Sequence, residues 1–385
     1  MRLHEYEAKE LLARYGIRIP RGTVAANAAD AEAVAADMAV AVMVKAQVLA
    51  GGRGKAGGIR RAGNARCAGQ LAAGMLSGTV HGLHPSGVLI EEQLDIHREL
   101  YLGITVDTAS GCPVIMLSAA GGVDIESVAR ETPAAIARLP VDPLGAPTAR
   151  QAAALARDAG LGDAACREAA PLVLQLYRLF SEEDALIAEI NPLAELADGS
   201  LVAADAVVEI DAASLFRHPA WDALTRLPGR RERAAQERGM TFVDLGGGEI
   251  GLICSGAGLG MATVDLIADQ ADDSGRPRAA NFLETGGGIT RELMAEAMRL
   301  VLSQPGIRGL LINVYGGINP IHEGAAGIAD ALADHPEIPV IAKALGNRQE
   351  ETWTILRNAG VEVVTDMRTE AAVQAVCRRL ATPET

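Results

Sequence analysis

Aromatic side chains supply only 3% of this 385-residue chain, so its cores must be filled by Ala, Val, Leu and Ile. Basic charge is also in deficit. Lys and Arg number 35 against 49 Asp and Glu, a net charge of −14, which argues against a general nucleic-acid or anionic-membrane surface. The five cysteines (Cys67, Cys112, Cys166, Cys254, Cys377) include no C-x-x-C pair and no histidine spacing that suggests zinc, so reduced thiols are expected. The N-terminal segment Met1-Arg2-Leu3-His4-Glu5-Tyr6 lacks both the apolar centre of a secretory signal and the Arg/Ser bias of a transit peptide. Long apolar runs are missing too, since the stretch 34–50 is broken by Asp37 and Lys45. A soluble cytoplasmic protein without nucleic-acid or membrane partners is the expectation.

What the chain does have is length, glycine and alternation. Its 385 residues exceed a usual single domain, and 49% apolar residues can build sizeable cores. Tyr6, Ala8, Leu11, Leu12 and Tyr15 fall at helical spacing before Gly16, predicting a short amphipathic opening helix. Strand-like runs follow at 42–46, 88–91, 100–106 and 114–117, separated by Ala-rich helical stretches. A helical pattern over 166–180 leads into two runs, 186–190 and 201–205, joined at Asp198-Gly199, which predicts a two-residue β-hairpin turn. Between Trp221 and Gly239 the chain turns basic (Arg226, Arg230, Arg231, Arg233, Arg238), which marks a domain boundary. The domains expected are 1–237 and 238–385. From Gly251 onward strand, glycine turn and helix recur, predicting a doubly wound, flavodoxin-like or Rossmann-like parallel sheet with ligands at the carboxyl ends of its strands.

The densest chemical signal is Gly51-Gly52-Arg53-Gly54-Lys55-Ala56-Gly57-Gly58, just after the strand that carries Lys45. Such a run suits positive φ angles or close backbone approach to a ligand, and its N–H groups and two cations suit phosphates. A flexible surface loop would show the same composition. It is not a Walker A loop, because Leu49 and Ala56 occupy positions where that motif needs Gly and Ser or Thr. Lys45, near the end of an apolar strand, needs an anion, for which a phosphate is the natural partner, or a route to solvent. A two-residue turn pairs Ala197 with Ser200 and leaves Asn191 beside Asp205 one residue out of register. With a bulge at Pro192 the two oxygen ligands converge as Mg²⁺ prefers. Glu189 shares a face with Asn191 and is the candidate catalytic proton or charge partner. Gly256-Ala257-Gly258-Leu259-Gly260-Met261 misses the dinucleotide fingerprint at Met261, so its turn is at most an anion-binding helix start.

These segments resemble the β subunit of succinate-CoA ligase, the ADP-forming type, over essentially the whole chain. Leu3-His4-Glu5-Tyr6 with Ala8-Lys9, the 51–58 loop, Glu99 to Gly103, Glu189-Ile190-Asn191-Pro192-Leu193 and Leu215-Phe216-Arg217 carry the likeness. The resemblance implies an α/β chain with an ATP-grasp N-terminal region and a flavodoxin-like domain that docks on an α subunit. It implies nucleotide contacts at Lys45, Gly52, Arg53, Gly54, Lys55, Glu91, Leu94 and Glu99, and Mg²⁺ at Asn191 and Asp205. It also implies a small carboxylate near Ser255, Gly317, Ile318 and Asn319, with ATP and CoA as co-substrates. Pro20 matches members that use ATP rather than GTP. The α subunit would bring a phosphorylated histidine and the CoA site.

Three departures fall away from the nucleotide residues. Ser255 stands where Asn is usual, Asn319-Pro320-Ile321-His322-Glu323 replaces a common Arg-Cys-Asp run, and Val207 stands where lysine is frequent. Losing one hydrogen bond to a charged group costs about 1.5 to 3 kcal/mol, so the acid is expected to be succinate or a relative such as malate. An ATP-grasp ligase acting alone and a non-catalytic nucleotide-binding regulatory subunit are the competing classes.

Overall fold

The computed structural model describes residues 1–221, 229–271 and 277–381, divided between two units, Met1–Ala223 and Leu224–Thr385. The first opens with α1 (Glu5–Arg14). Its start is capped by Glu7, whose carboxylate accepts the His4 N–H at 2.8 Å, and it stops before Gly16, which takes φ +83°. Ala8, Leu11 and Leu12 are buried on it, but so are Glu5 and Lys9, one turn apart.

There follow β1 (Gly22–Ala25), α2 (Ala28–Met38), β2 (Val42–Ala46), β3 (Ile59–Ala62), α3 (Ala65–Ser77) and β4 (Val88–Glu92). The strands form an antiparallel sheet in the order β1-β4-β2-β3. Val42, Val44, Ala46, Val88 and Ile90 pack with Ala31, Ala35, Ala68 and Ala72 in one core, on the face covered by α2 and α3. Strand alternation therefore sends Lys45 and Glu91 to the other face.

The rest of this unit comprises β5 (Ile96–Asp107), β6 (Cys112–Ser118), α4 (Ile125–Glu131), β7 (Ile136–Pro140), α5 (Ala149–Asp158), α6 (Asp163–Glu182), β8 (Ala185–Leu196), β9 (Leu201–Ala203) and β10 (Val207–Ile210). A second antiparallel sheet runs β10-β8-β5-β6-β7, with β9 paired to β8. The predicted hairpin exists, but its turn is longer by one. Glu195 pairs with Leu201 and Ser200 accepts the Leu196 N–H, so Ala197, Asp198 and Gly199 form a three-residue loop with Gly199 at φ +81°. Extending that register sets Asn191 opposite Asp205 without the offset expected. A bulge does occur at Pro192, against the other neighbour: Leu100 pairs with Leu193 and Leu102 with Ile190, so Asn191 and Pro192 together face Tyr101.

The second unit contains α7 (Arg230–Gln236), β11 (Thr241–Asp244), β12 (Ile250–Cys254), α8 (Ala257–Ala268), β13 (Asn281–Glu284), α9 (Arg291–Leu302), β14 (Gly309–Gly316), α10 (His322–Leu332), β15 (Val340–Gly346), α11 (Gln349–Asn358), β16 (Glu362–Val363) and α12 (Thr369–Ala381). Its sheet runs β11-β13-β12-β14-β15-β16. All pairs are parallel except β11 with β13. It is the recurrent strand-and-helix sheet expected, with an antiparallel edge added. Separate cores lie on its two faces. The division precedes the boundary expected at 237/238 because α7 is no linker: its Ala235 is buried in this unit's core with Met240 and Phe242. Of the basic segment, residues 222–228, Arg226 included, lie outside the described residues.

Candidate functional site

In the first unit a cleft of about 620 Å³ is lined by Glu5, the 50–55 loop, Gly122 to Glu126, Glu189, Asn191 and the segment Asp205 to Val207. The glycine loop is folded on itself. Lys55 N–H donates to the Gly52 carbonyl at 3.1 Å and Gly58 N–H to that of Arg53 at 2.8 Å, and Gly52 and Gly57 take φ +68° and +76°. Only glycine adopts those angles without strain. Lys55 projects from this loop and is exposed, whereas Arg53 turns inward and is buried.

Arg53 ends in a cluster of six charges. Its Nη2 donates to both oxygens of Asp205, at 2.8 and 2.9 Å, and its Nη1 lies 2.8 Å from Glu5 Oε2. Glu5 Oε1 is 2.9 Å from Lys45 Nζ and 3.0 Å from Lys9 Nζ, while Glu91 bridges the same two ammonium groups at 2.7 and 2.5 Å. The Ala204 carbonyl accepts from both lysines, at 2.7 and 2.6 Å. Three cations thus meet three carboxylates. Burial pushes the Glu5 carboxyl upward, and Lys45, Lys9 and Arg53 more than reverse this, holding it well below the ordinary range. Burial would strip the proton from Lys45, but Glu5, Glu91 and Asp205 raise its pKa instead. In this structure the anions at the Lys45 tip are the Glu5 and Glu91 carboxylates, because α1 and β4 each deliver an acid to it.

Asn191 has a different duty at the cleft's other wall. Its Oδ1 accepts the Gly122 N–H at 2.9 Å and its Nδ2 donates to the Val123 carbonyl at 3.1 Å, fixing the loop that leads into α4. Glu189 hydrogen-bonds Asn191, but burial comes first and Asp205 adds to it, so its carboxyl is raised above the ordinary value. Asn191 and Asp205 both line this cleft, as the hairpin reading required. Their donor set, one amide oxygen and one carboxylate with a second carboxylate nearby, fits a hard divalent cation that completes its shell with phosphate oxygens and water. Among the described residues there is no group of three or more His, Cys, Asp or Glu that could hold a metal by itself.

Lys45, Glu91, Leu94 and Glu99 do not line the cleft. Lys45 and Glu91 lie in the buried charge cluster, Leu94 is half-buried in the connection from β4 to β5, and Glu99 is exposed on β5. The Glu99 carboxylate fills the space where a Cβ on Gly122 would stand, so it borders the same loop that Asn191 holds. Glu5 and Lys9 are the members of this cluster that no role was assigned to from sequence. The i,i+4 acid–base pair on an otherwise apolar helix face was the available signal.

The four residues expected at the acid lie in the second unit, beyond the carboxyl ends of β12 and β14. Ser255 Oγ accepts the Tyr315 N–H at 2.8 Å and donates to the Tyr315 carbonyl at 3.2 Å, so its hydroxyl is committed to the neighbouring strand. Asn319 Nδ2 donates to the Gly287 carbonyl at 2.6 Å. Gly317 and Ile318 are exposed, Ile318 at 91%. Next to them Asn347 Nδ2 binds the Ile318 carbonyl at 3.0 Å, and Arg348 Nη1 lies 2.9 Å from His322 Nε2.

Comparison with known proteins places this geometry. An ATP-grasp domain matches residues 2–195 and a CoA-ligase domain residues 253–377. The succinate–CoA ligase [ADP-forming] subunit beta of Roseiflexus sp. (strain RS-1) is 40% identical over 98% of both chains. The chain belongs to the succinate-CoA ligase β-subunit family. The GDP-forming subunit beta of Thermus thermophilus is also 40% identical, over 94% of each chain. ATP citrate lyase from Methanothrix soehngenii, solved with citrate and coenzyme A, shares the fold with a TM-score of 0.75 at 19% identity, over 97% of this chain and 99% of that one. As a member of this family the protein is a carboxylate-CoA ligase subunit, its first unit carrying the ATP-grasp domain and its second the CoA-ligase domain. No helix among the described residues is long and apolar enough to cross a membrane.

Proposed function

We propose that this chain is the nucleotide-handling β subunit of an ADP-forming acid-CoA ligase that works with an α subunit on succinate or a related small carboxylate. The observation that carries the reading is the convergence, in one cleft, of the glycine loop, Arg53, Asn191 and Asp205. The loop's N–H groups, Arg53, Lys55 and Lys45 would hold the polyphosphate, with Glu91, Leu94 and Glu99 toward the rest of the nucleotide. Asn191 and Asp205 would hold Mg²⁺, which when bound offsets charge on the phosphate oxygens. Glu189, its carboxyl raised above the ordinary range by burial, would tune the charge beside them.

The terminal phosphoryl group of ATP is transferred as its P–O bond to the departing ADP breaks and a P–N bond forms to a histidine of the α subunit. A substrate carboxylate oxygen then displaces that histidine to give an acyl phosphate, and the CoA thiolate attacks its carbonyl, expelling phosphate. None of these steps needs a nucleophile from this chain.

The acid is the open specificity. Ser255 and Asn319 are both engaged with neighbouring backbone, which favours an acid held differently from succinate, malate being one example. Tyr315, Ile318, Met261 and Met367, at 61%, 91%, 59% and 83% exposure, offer apolar area to the α subunit on the same unit. The test is ADP release by the chain co-purified with its cognate α subunit, across a panel of small carboxylates. Release that requires both CoA and one of the acids is expected. Release by the chain alone, or none with any acid, refutes the reading.

A further inference from the structure

We propose that Glu5, with Lys9 as its counter-charge, is a positioning residue of the nucleotide site: it holds one edge of Arg53 and the tip of Lys45 while Asp205 is released from the other edge of Arg53 to a divalent cation. This rests on the nucleotide-handling role proposed above. The two acids on Arg53 differ in kind. Both line the cleft, but Glu5 has a side chain only 1% exposed and reaches Nη1, whereas Asp205 is 22% exposed and reaches Nη2. The guanidinium has separate edges for the two. Asp205 can therefore exchange Arg53 for a metal while Glu5 keeps the guanidinium in place, leaving Nη2 free for a phosphate oxygen.

Lys9 makes this exchange affordable in charge. It stays within 3.0 Å of Glu5 and 2.5 Å of Glu91, so both carboxylates keep a cation when Lys45 is shared with phosphate. Without it, two buried acids would draw Lys45 back. Stability alone does not account for such a cluster, because well-packed apolar residues commonly replace buried ion pairs with neutral or favourable effect. Its placement against the glycine loop points to the ligand instead. Removing Glu5 would leave Arg53 with Asp205 as its remaining carboxylate partner, tying up a phosphate donor and a metal ligand together.

Glu5→Gln keeps the shape and removes the charge. Isothermal titration of ADP with excess Mg²⁺ into the full chain, with circular dichroism and thermal melting to verify the fold, should show a dissociation constant raised by about tenfold or more. Glu5→Asp, which restores the charge one methylene short, should fall between Gln and wild type. In the enzyme reconstituted with its α subunit the KM for ATP should rise by a larger factor than kcat falls, a split that loss of fold would not produce. Equal or tighter ADP binding by folded E5Q overturns the proposal, since the carboxylate would then only repel phosphate. If E5Q does not fold, E5D decides by the same titration, weaker binding supporting the proposal and unchanged binding overturning it. Failure of the wild-type chain to bind ADP would instead remove the nucleotide reading.

Discussion

Replacing Asp205 with Asn separates a structural ion pair from a working site, because the two roles predict different results. The substitution keeps volume but turns a cluster of three cations and three carboxylates into three against two. Asp205 accepts two bonds from Arg53 and the Ala206 N–H at 2.7 Å. Breaking a fully buried pair costs about 3 to 5 kcal/mol, and one hydrogen bond to a charged group is worth about 1.5 to 3. Asp205 is about one-fifth exposed and an amide oxygen can still accept one bond, so a loss near 2 kcal/mol is expected for the ligand-free chain. Binding of ADP with Mg²⁺ should weaken by about a hundredfold or more, because the variant lacks the anionic ligand the cation needs. Urea unfolding of the ligand-free chain measures the first effect. Isothermal titration with ADP and excess Mg²⁺ measures the second. A variant that unfolds earlier but binds ADP normally would show that the Arg53–Asp205 pair is structural and that the cation lies elsewhere. A variant unchanged in both would refute the charge-cluster argument altogether.

Asn191→Ala removes both hydrogen bonds that hold Gly122 and Val123. It should weaken Mg²⁺-dependent ADP binding by about tenfold or more and speed amide exchange at 121–124, read by hydrogen–deuterium exchange; unchanged exchange would remove the loop-holding role. Gly327→Ala should lower the thermal stability of the second unit by about 1 to 3 kcal/mol, because its Cβ would collide with the Arg291 carbonyl on α9. ADP binding, placed in the first unit, should not change. Glu189 supplies a pH test. Its folded pKa is raised above the ordinary 4.5 by burial, so the folded state keeps a proton that the unfolded chain has released, and stability falls as pH rises through the window above 4.5. Glu189→Gln lacks that loss. Urea unfolding of both proteins should show the variant gaining relative stability from acid toward neutral pH, and a constant difference would contradict the assignment.

Much of the site was legible because its signals are local. The glycine loop declares itself within eight residues, and the Asp198-Gly199 turn sets Asn191 near Asp205 through one hairpin. The repeated strand, glycine turn and helix after Gly251 likewise announce the second sheet. Signals that cross the chain were not legible in the same way. Lys45 had an evident need for an anion, yet its partners come from Glu5, 40 residues before it, and from Glu91. Lys9 reaches Ala204 across 195 positions.

Sequence alone determined the periodicities, the turns and the identity of the groups available for chemistry, because each depends on neighbours within a few residues. Tertiary structure decided which charges meet. It selected the three-residue loop that removes the expected offset between Asn191 and Asp205, since a backbone register depends on which φ angles the turn adopts. It also committed Ser255 to Tyr315 and turned Arg53 inward between Glu5 and Asp205. Coulomb attraction strengthens in a buried setting, so opposite charges brought together by packing take partners that no local pattern encodes.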